Sequence, residues 1–125
     1  KIKGVERMAL ITDALAVAAS GPDAKAFDKR VIIEDGVCKL ADRSALAGSI
    51  ATTDRLVRTM VLQAEVPLED AVRMASETPA HIMGISGRKG ALSRGKDADV
   101  LILDEKLKVR CVWQMGRIIE NSLFQ

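Results

Sequence analysis

Met8-Ala9-Leu10-Ile11-Thr12-Asp13-Ala14 is the stretch on which the reading of this chain turns. Four apolar residues, Met8 to Ile11, run straight into Thr12 and a carboxylate. A small-residue run, Ala14-Leu15-Ala16-Val17-Ala18-Ala19, comes next and is closed by Ser20-Gly21-Pro22. A short apolar run bounded by polar and turn residues suits a strand buried on both faces, as in a parallel sheet. An acid at the C-terminal end of such a strand stands where α/β barrels keep catalytic groups. Asp is also a preferred helix N-cap, and from spacing alone capping is the commoner role for Asp13 and the preferred one.

With 125 residues the chain has the length of one domain. A complete eight-stranded barrel needs about 250, so a barrel strand ending at Asp13 implies that most of its barrel lies outside the chain. Apolar residues make up 48% and charged residues 29%, a globular balance that excludes disorder. Two Phe, one Trp and no Tyr leave an aliphatic core. A net charge of +2, with basic and acidic residues interspersed, excludes nucleic acid and anionic membranes as expected partners. The scarcity of aromatics also removes any stacking platform for single strands. No apolar run approaches the ~20 residues of a membrane span, and Lys1–Arg7 lacks the apolar stretch of a signal peptide. Cys38 and Cys111 stand apart, in no metal or redox spacing, and read as free buried thiols of a reducing compartment. The expected location is cytoplasmic.

Outward from Asp13, Ser20–Asp23 reads as a loop. Val31–Ile33 and Val37–Leu40 flank Asp35-Gly36, the signal of a two-residue type I′ turn, and predict a β-hairpin over about Arg30 to Leu40. Leu46-Ala47-Gly48-Ser49 precedes a helical pattern from about Ile50 to Ala64, with Leu56, Val57, Met60, Val61 and Ala64 on one face. Ser49, Thr52 or Thr53 is placed to cap it. A Gly-Ser turn opening a helix presents backbone N–H groups to a carbonyl or anion, although a plain cap is the commoner reading. Leu68, Ala71, Val72 and Ala75 mark a second helix to about Glu77. Pro79 opens a short third one, Ala80–Met83, ended by Gly84. The only histidine, His81, has no companion ligands near it in sequence and is assigned no role. Val100–Leu103, Val109–Trp113 and a turn at Gly116 into Ile118-Ile119 predict a β-rich tail that fits a small sandwich.

These segments together resemble a known family. Leu10-Ile-Thr-Asp-Ala-Leu-Ala16, Leu46-Ala-Gly-Ser49 and Asp70-Ala-Val-Arg-Met-Ala-Ser76 with Thr78-Pro-Ala80 resemble the C-terminal part of N-acetylglucosamine-6-phosphate deacetylases. The ending Gly90-Ala-Leu-Ser-Arg-Gly-Lys-Asp-Ala-Asp-Val-Leu-Ile-Leu-Asp104 is similar to the closing signature of the amidohydrolase superfamily. The resemblance implies an α/β fold: the last strand and helices of a (β/α)8 TIM-type barrel, plus strands of a small β-sandwich. In those terms residues 1–30 end the barrel and carry Asp13, 31–40 are a hairpin insertion, 41–86 hold a barrel loop and the C-terminal helices, and 87–125 form sandwich strands.

The implied reaction removes acetate from N-acetylglucosamine 6-phosphate, leaving glucosamine 6-phosphate. The resemblance makes Asp13 the general base, reversing the preference for a cap, and makes Leu46, Ala47 and Gly48 the segment that contacts the small-molecule amino-sugar phosphate. It also implies a divalent metal, zinc first and iron or another metal as alternatives. Its ligands, a Glu and two His, are expected upstream of this chain, so the chain is expected to be a C-terminal portion, inactive alone. A homodimer is implied for the complete protein. Two other readings stay open: an amidohydrolase acting on another N-acyl or cyclic amide, and a non-catalytic α+β binding module.

Overall fold

A computed structural model describes residues 3–19 and 30–122, so the expected loop at Ser20–Asp23 lies outside the described residues. The described chain divides into two compact units, residues 11–56 and residues 1–10 with 57–125.

In the unit of residues 11–56, strands β1 (Val31–Glu34) and β2 (Val37–Leu40) form the expected hairpin, with Glu34 opposite Val37 and Val31 opposite Leu40. Asp35 and Gly36 have φ of +54° and +74°. Two successive left-handed residues make the type I′ turn, whose twist matches that of the strands; this is why Asp-Gly stands there. Beyond β2 the chain turns back on itself. Asp42 Oδ1 accepts from the Ser44 N–H (2.9 Å) and hydroxyl (2.7 Å), while Leu40 N–H donates to the Ala45 carbonyl (2.9 Å). Leu46 thereby comes to lie against Lys39 as an antiparallel bridge. An ion cluster ties the two turns together. Glu34 accepts from Arg43 Nε and Nη2 (3.2 and 3.1 Å) and from Lys39 Nζ (3.2 Å), and Lys39 also reaches Asp35 (3.1 Å). Among the described residues of this unit, the buried side chains are Val17 and Cys38.

The other unit is built on helices α2 (Leu68–Ala75) and α3 (Glu77–Ile82), and on a three-stranded antiparallel sheet of β3 (Val100–Leu103), β4 (Val109–Gln114) and β5 (Arg117–Asn121). Helix α1 (Thr53–Leu62) is narrower than the expected 50–64, and the division between the units falls within it. The Ser49 hydroxyl caps the turn ahead of α1, accepting from Ala51 N–H at 2.7 Å. In α2 the buried residues are Ala71 and Met74, whereas Leu68 and Val72, expected on the inner face, are exposed. The chain start packs beside α2, and the Met74 carbonyl accepts from Leu10 N–H at 2.8 Å. One turn on, buried Thr78 donates its hydroxyl to the Val5 carbonyl at 2.9 Å.

Helix α3 begins at Glu77, before Pro79. Proline is tolerated there because the first-turn N–H groups have no helical acceptor. It ends as expected at Gly84, φ +70°, whose N–H donates to the His81 carbonyl while Ile85 N–H reaches back to Ala80. That pair of bonds is a Schellman cap. In the sheet, Met115 and Gly116 (φ +49° and +77°) form a second type I′ turn joining β4 and β5, with Gln114 opposite Arg117. Cys111 is buried in the central strand, and both cysteines are free.

The stretch Gly90–Asp104 acts as a clasp. At Gly90 (φ +90°) a Cβ would stand 2.7 Å from the Ala80 Cβ and 3.1 Å from both Glu77 Cα and the Ser76 carbonyl, so the loop lies directly on α3. Asp97 pairs with Arg88 (2.9 Å) and Lys89 (3.0 Å); Lys89 also bonds Asp99, whose second oxygen accepts from Met115 N–H in the β4–β5 turn (2.8 Å). Both carboxyls are held below the usual aspartate range, chiefly by the Lys89 ammonium.

Both the clasp and the hairpin cluster can be tested by substitution. Gly90→Ala combines a forbidden backbone with overpacking against α3 and is expected to cost about 2 kcal/mol or more. Urea unfolding within about 0.5 kcal/mol of the parent, the scatter of neutral surface changes, would contradict the close approach. The Glu34 carboxyl is lowered from 4.5 to about 2, first by its hydrogen bond to Arg43 and then by that to Lys39. A lowered acid stabilises the folded state above its unfolded value and loses that contribution as pH falls from about 4.5 through about 2. Carboxyl-carbon NMR should show the Glu34 midpoint near 2, rising toward the ordinary range in Arg43→Met and at high salt. An unchanged midpoint in Arg43→Met would rule out this origin.

Candidate functional site

The Met8–Ile11 run pairs with no strand among the described residues, and Met8 and Ile11 are exposed. A strand is defined by its pairing with a neighbour, and in this segment pairing begins only at Ala14, which forms a parallel bridge with Ser49. Leu15 N–H donates to the Ser49 carbonyl at 2.9 Å. This one bond sets Asp13 beside the Leu46–Ser49 loop, some 35 residues later in the chain. The two segments singled out in sequence therefore meet in space.

Asp13 is exposed, with φ +48° in the left-handed region. Asp tolerates that region better than most residues, but it remains sparsely populated and must be enforced by neighbours. Thr12 Oγ1 accepts from Ala14 N–H at 3.3 Å, closing a small turn across Asp13. The chain then enters a short 3-10 helix, Ala16–Ala19. Among the described residues the Asp13 carboxylate makes no capping bond to it and has no side-chain partner, leaving an open acceptor at the end of an extended segment.

The loop opposite is held by backbone bonds. Ala47 N–H donates to the Cys38 carbonyl (3.1 Å) and Leu46 bridges Lys39, so β2 carries the loop as an added edge. The Leu46 side chain is 71% exposed although its backbone is fixed. Gly48 has φ +67°, and a Cβ there would come within 3.0 Å of the Leu15 side chain and 3.1 Å of the Asp13 carbonyl. Only glycine lets the loop approach Asp13 so closely.

Sequence reading passed over Leu15, Thr12 and Cys38 as parts of this site. Thr immediately before the acid was a usable signal, since Thr commonly closes such turns on the backbone. Nothing local marks Cys38, which contributes only its carbonyl. His81 is exposed in the other unit, in an open depression of about 300 Å³ lined by Glu6, Arg73, Glu77 and Thr78. Among the described residues no three His, Cys, Asp or Glu side chains converge as a metal site needs, so these residues do not by themselves fit the implied metal. No helix among them is long and apolar enough to cross a membrane.

Known proteins resemble the chain over most of its length. The chain is 39% identical over 115 residues to N-acetylgalactosamine-6-phosphate deacetylase of Escherichia coli O157:H7, covering 90% of this chain and 30% of that protein. It is 33% identical over 113 residues to N-acetylglucosamine-6-phosphate deacetylase of Bos taurus, covering 90% of this chain and 28% of the relative. A relative in Escherichia coli (strain K12) is covered over 68% of its length, also at 39% identity. The crystal structure of the N-acetyl-D-glucosamine-6-phosphate deacetylase of Mycobacterium smegmatis superposes with a TM-score of 0.81 at 32% identity, over 93% of this chain and 32% of that one. The chain thus spans about a third of the length of most relatives it matches. The expected resemblance and α/β fold class are borne out. The profile of the amidohydrolase family matches residues 7–119, and the chain belongs to that family.

Proposed function

We propose that this chain supplies the general base and the substrate-facing loop of an N-acetylglucosamine-6-phosphate deacetylase. The observation that carries the reading is the meeting of Asp13, an open carboxylate, with the Leu46–Gly48 loop across the Ala14–Ser49 bridge. In the proposed reaction a water oxygen adds to the acetamide carbonyl carbon while Asp13 takes its proton. Asp13 then delivers that proton to the amine nitrogen as the C–N bond breaks, releasing acetate and glucosamine 6-phosphate. General acid–base transfer of this kind contributes about 10²–10⁴-fold. The exposed Leu46 side chain and the backbone of Ala47 and Gly48 flank the sugar in this reading.

The activity belongs to the complete protein, and the 125 residues alone are proposed to hydrolyse nothing. Residues 1–30 are proposed as the end of the barrel, 31–40 as an inserted hairpin, 41–86 as a barrel loop and the C-terminal helices, and 87–125 as sandwich strands. A divalent metal, zinc first, is part of the proposal, with its ligands upstream; the steps assigned to Asp13 are derived without it. Cytoplasmic location is supported by the two free buried thiols, and a homodimer is proposed on family resemblance alone.

A second substrate is favoured by one observation. Identity is higher to the N-acetylgalactosamine-6-phosphate deacetylase (39%) than to the bovine N-acetylglucosamine enzyme (33%). Acetate release by the complete protein from both sugar phosphates decides between them, the larger kcat/KM naming the substrate. Turnover of neither sends the reading to another N-acyl or cyclic amide. Asp13→Asn is expected to lower kcat by about 10² or more with the fold and bound metal unchanged. A variant that keeps more than about a tenth of parental turnover would take Asp13 out of the base role.

A further inference from the structure

We propose that Thr12 is a positioning residue for Asp13, a role that rests on the reading of Asp13 as the general base. Asp13 sits at φ +48°, a conformation that its own chemistry tolerates but does not impose. Two bonds bracket it. After it, Leu15 N–H is fixed to the Ser49 carbonyl at 2.9 Å. Across it, Ala14 N–H is fixed to Thr12 Oγ1 at 3.3 Å. Gly48 seals the far side by its approach to the Asp13 carbonyl. Of these restraints only the Thr12 hydroxyl is a side-chain group, and it belongs to a half-buried residue next to the exposed acid. Without it, Ala14 N–H loses its acceptor and the Asp13 backbone is free to relax toward commoner angles. That relaxation swings the carboxylate while leaving the loop that flanks the sugar in place. A displacement of about 1 Å at a reacting group is enough to cost about 10²-fold in rate.

Valine at position 12 keeps the shape and removes the acceptor, whereas serine keeps the acceptor. In the complete protein, Thr12→Val is expected to lower kcat about tenfold or more with KM within about twofold, and Thr12→Ser to retain kcat within about threefold. Parental kcat in Thr12→Val, or an equal loss in Thr12→Ser, overturns the role. If Thr12→Val melts early, Thr12→Ala takes its place in the comparison. Failure of both to fold beside a folded Thr12→Ser makes the hydroxyl structural and likewise overturns the role. Asp13→Asn measured alongside separates the two claims. An active Asp13→Asn removes the base reading itself, whereas an inactive Asp13→Asn beside a fully active Thr12→Val removes only Thr12.

Discussion

The hydrogen bond from Leu15 N–H to the Ser49 carbonyl is the contact on which the rest of the site depends. It closes a loop of more than thirty residues and turns two distant sequence signals into one location. Closing a loop of that size costs conformational entropy that a single bond does not cover. The pairing persists because both partners are already shaped. On one side, Thr12 and the left-handed Asp13 bend the chain toward the loop. On the other, Gly48 presents no side chain where Leu15 must sit.

The hairpin explains how an exposed loop stays ordered. Type I′ geometry at Asp35-Gly36 fixes the register of β1 and β2, and the Asx turn at Asp42 returns the chain so that Leu46 and Ala47 bond β2 through their backbones. Glu34, Lys39, Asp35 and Arg43 then link the two turns. Each exposed ion pair contributes little, but the shared carboxylate of Glu34 makes them a network, which is the arrangement in which surface charges matter. Leu46 is free at its side chain and fixed at its backbone. Such a combination suits a surface that meets a ligand without first having to be ordered.

The closing signature of the family serves a different end. Gly90 is small because α3 lies against it, Asp97 and Asp99 share the Lys89 ammonium, and Asp99 anchors the β4–β5 turn. None of these residues lies in the unit that carries Asp13. In this chain the signature holds helices and sheet together, and the chemistry proposed for the protein draws on residues 12–15 and 46–49.

Local chemistry was enough for much of this. The Asp-Gly hairpin, the Gly84 cap, the Met115-Gly116 turn and the free cysteines were legible because each depends on the φ preference or spacing of a few adjacent residues. The family, too, was legible in motifs that keep their residue types. Tertiary contacts decided the remainder. Helix α2 buries Met74 in place of Leu68 and Val72 because Leu10 and Val5 dock beside it, and a periodicity of apolar residues cannot say where such a partner will lie. The strand at Met8–Ile11 finds no ladder among the described residues because pairing is a property of two segments, never of one. Most of all, the sequence could mark Asp13 and Leu46–Gly48 separately but could not show that they meet. Their meeting was made where Ser49 and Leu15 joined, because a long-range hydrogen bond depends on the closed fold and leaves no trace in local composition.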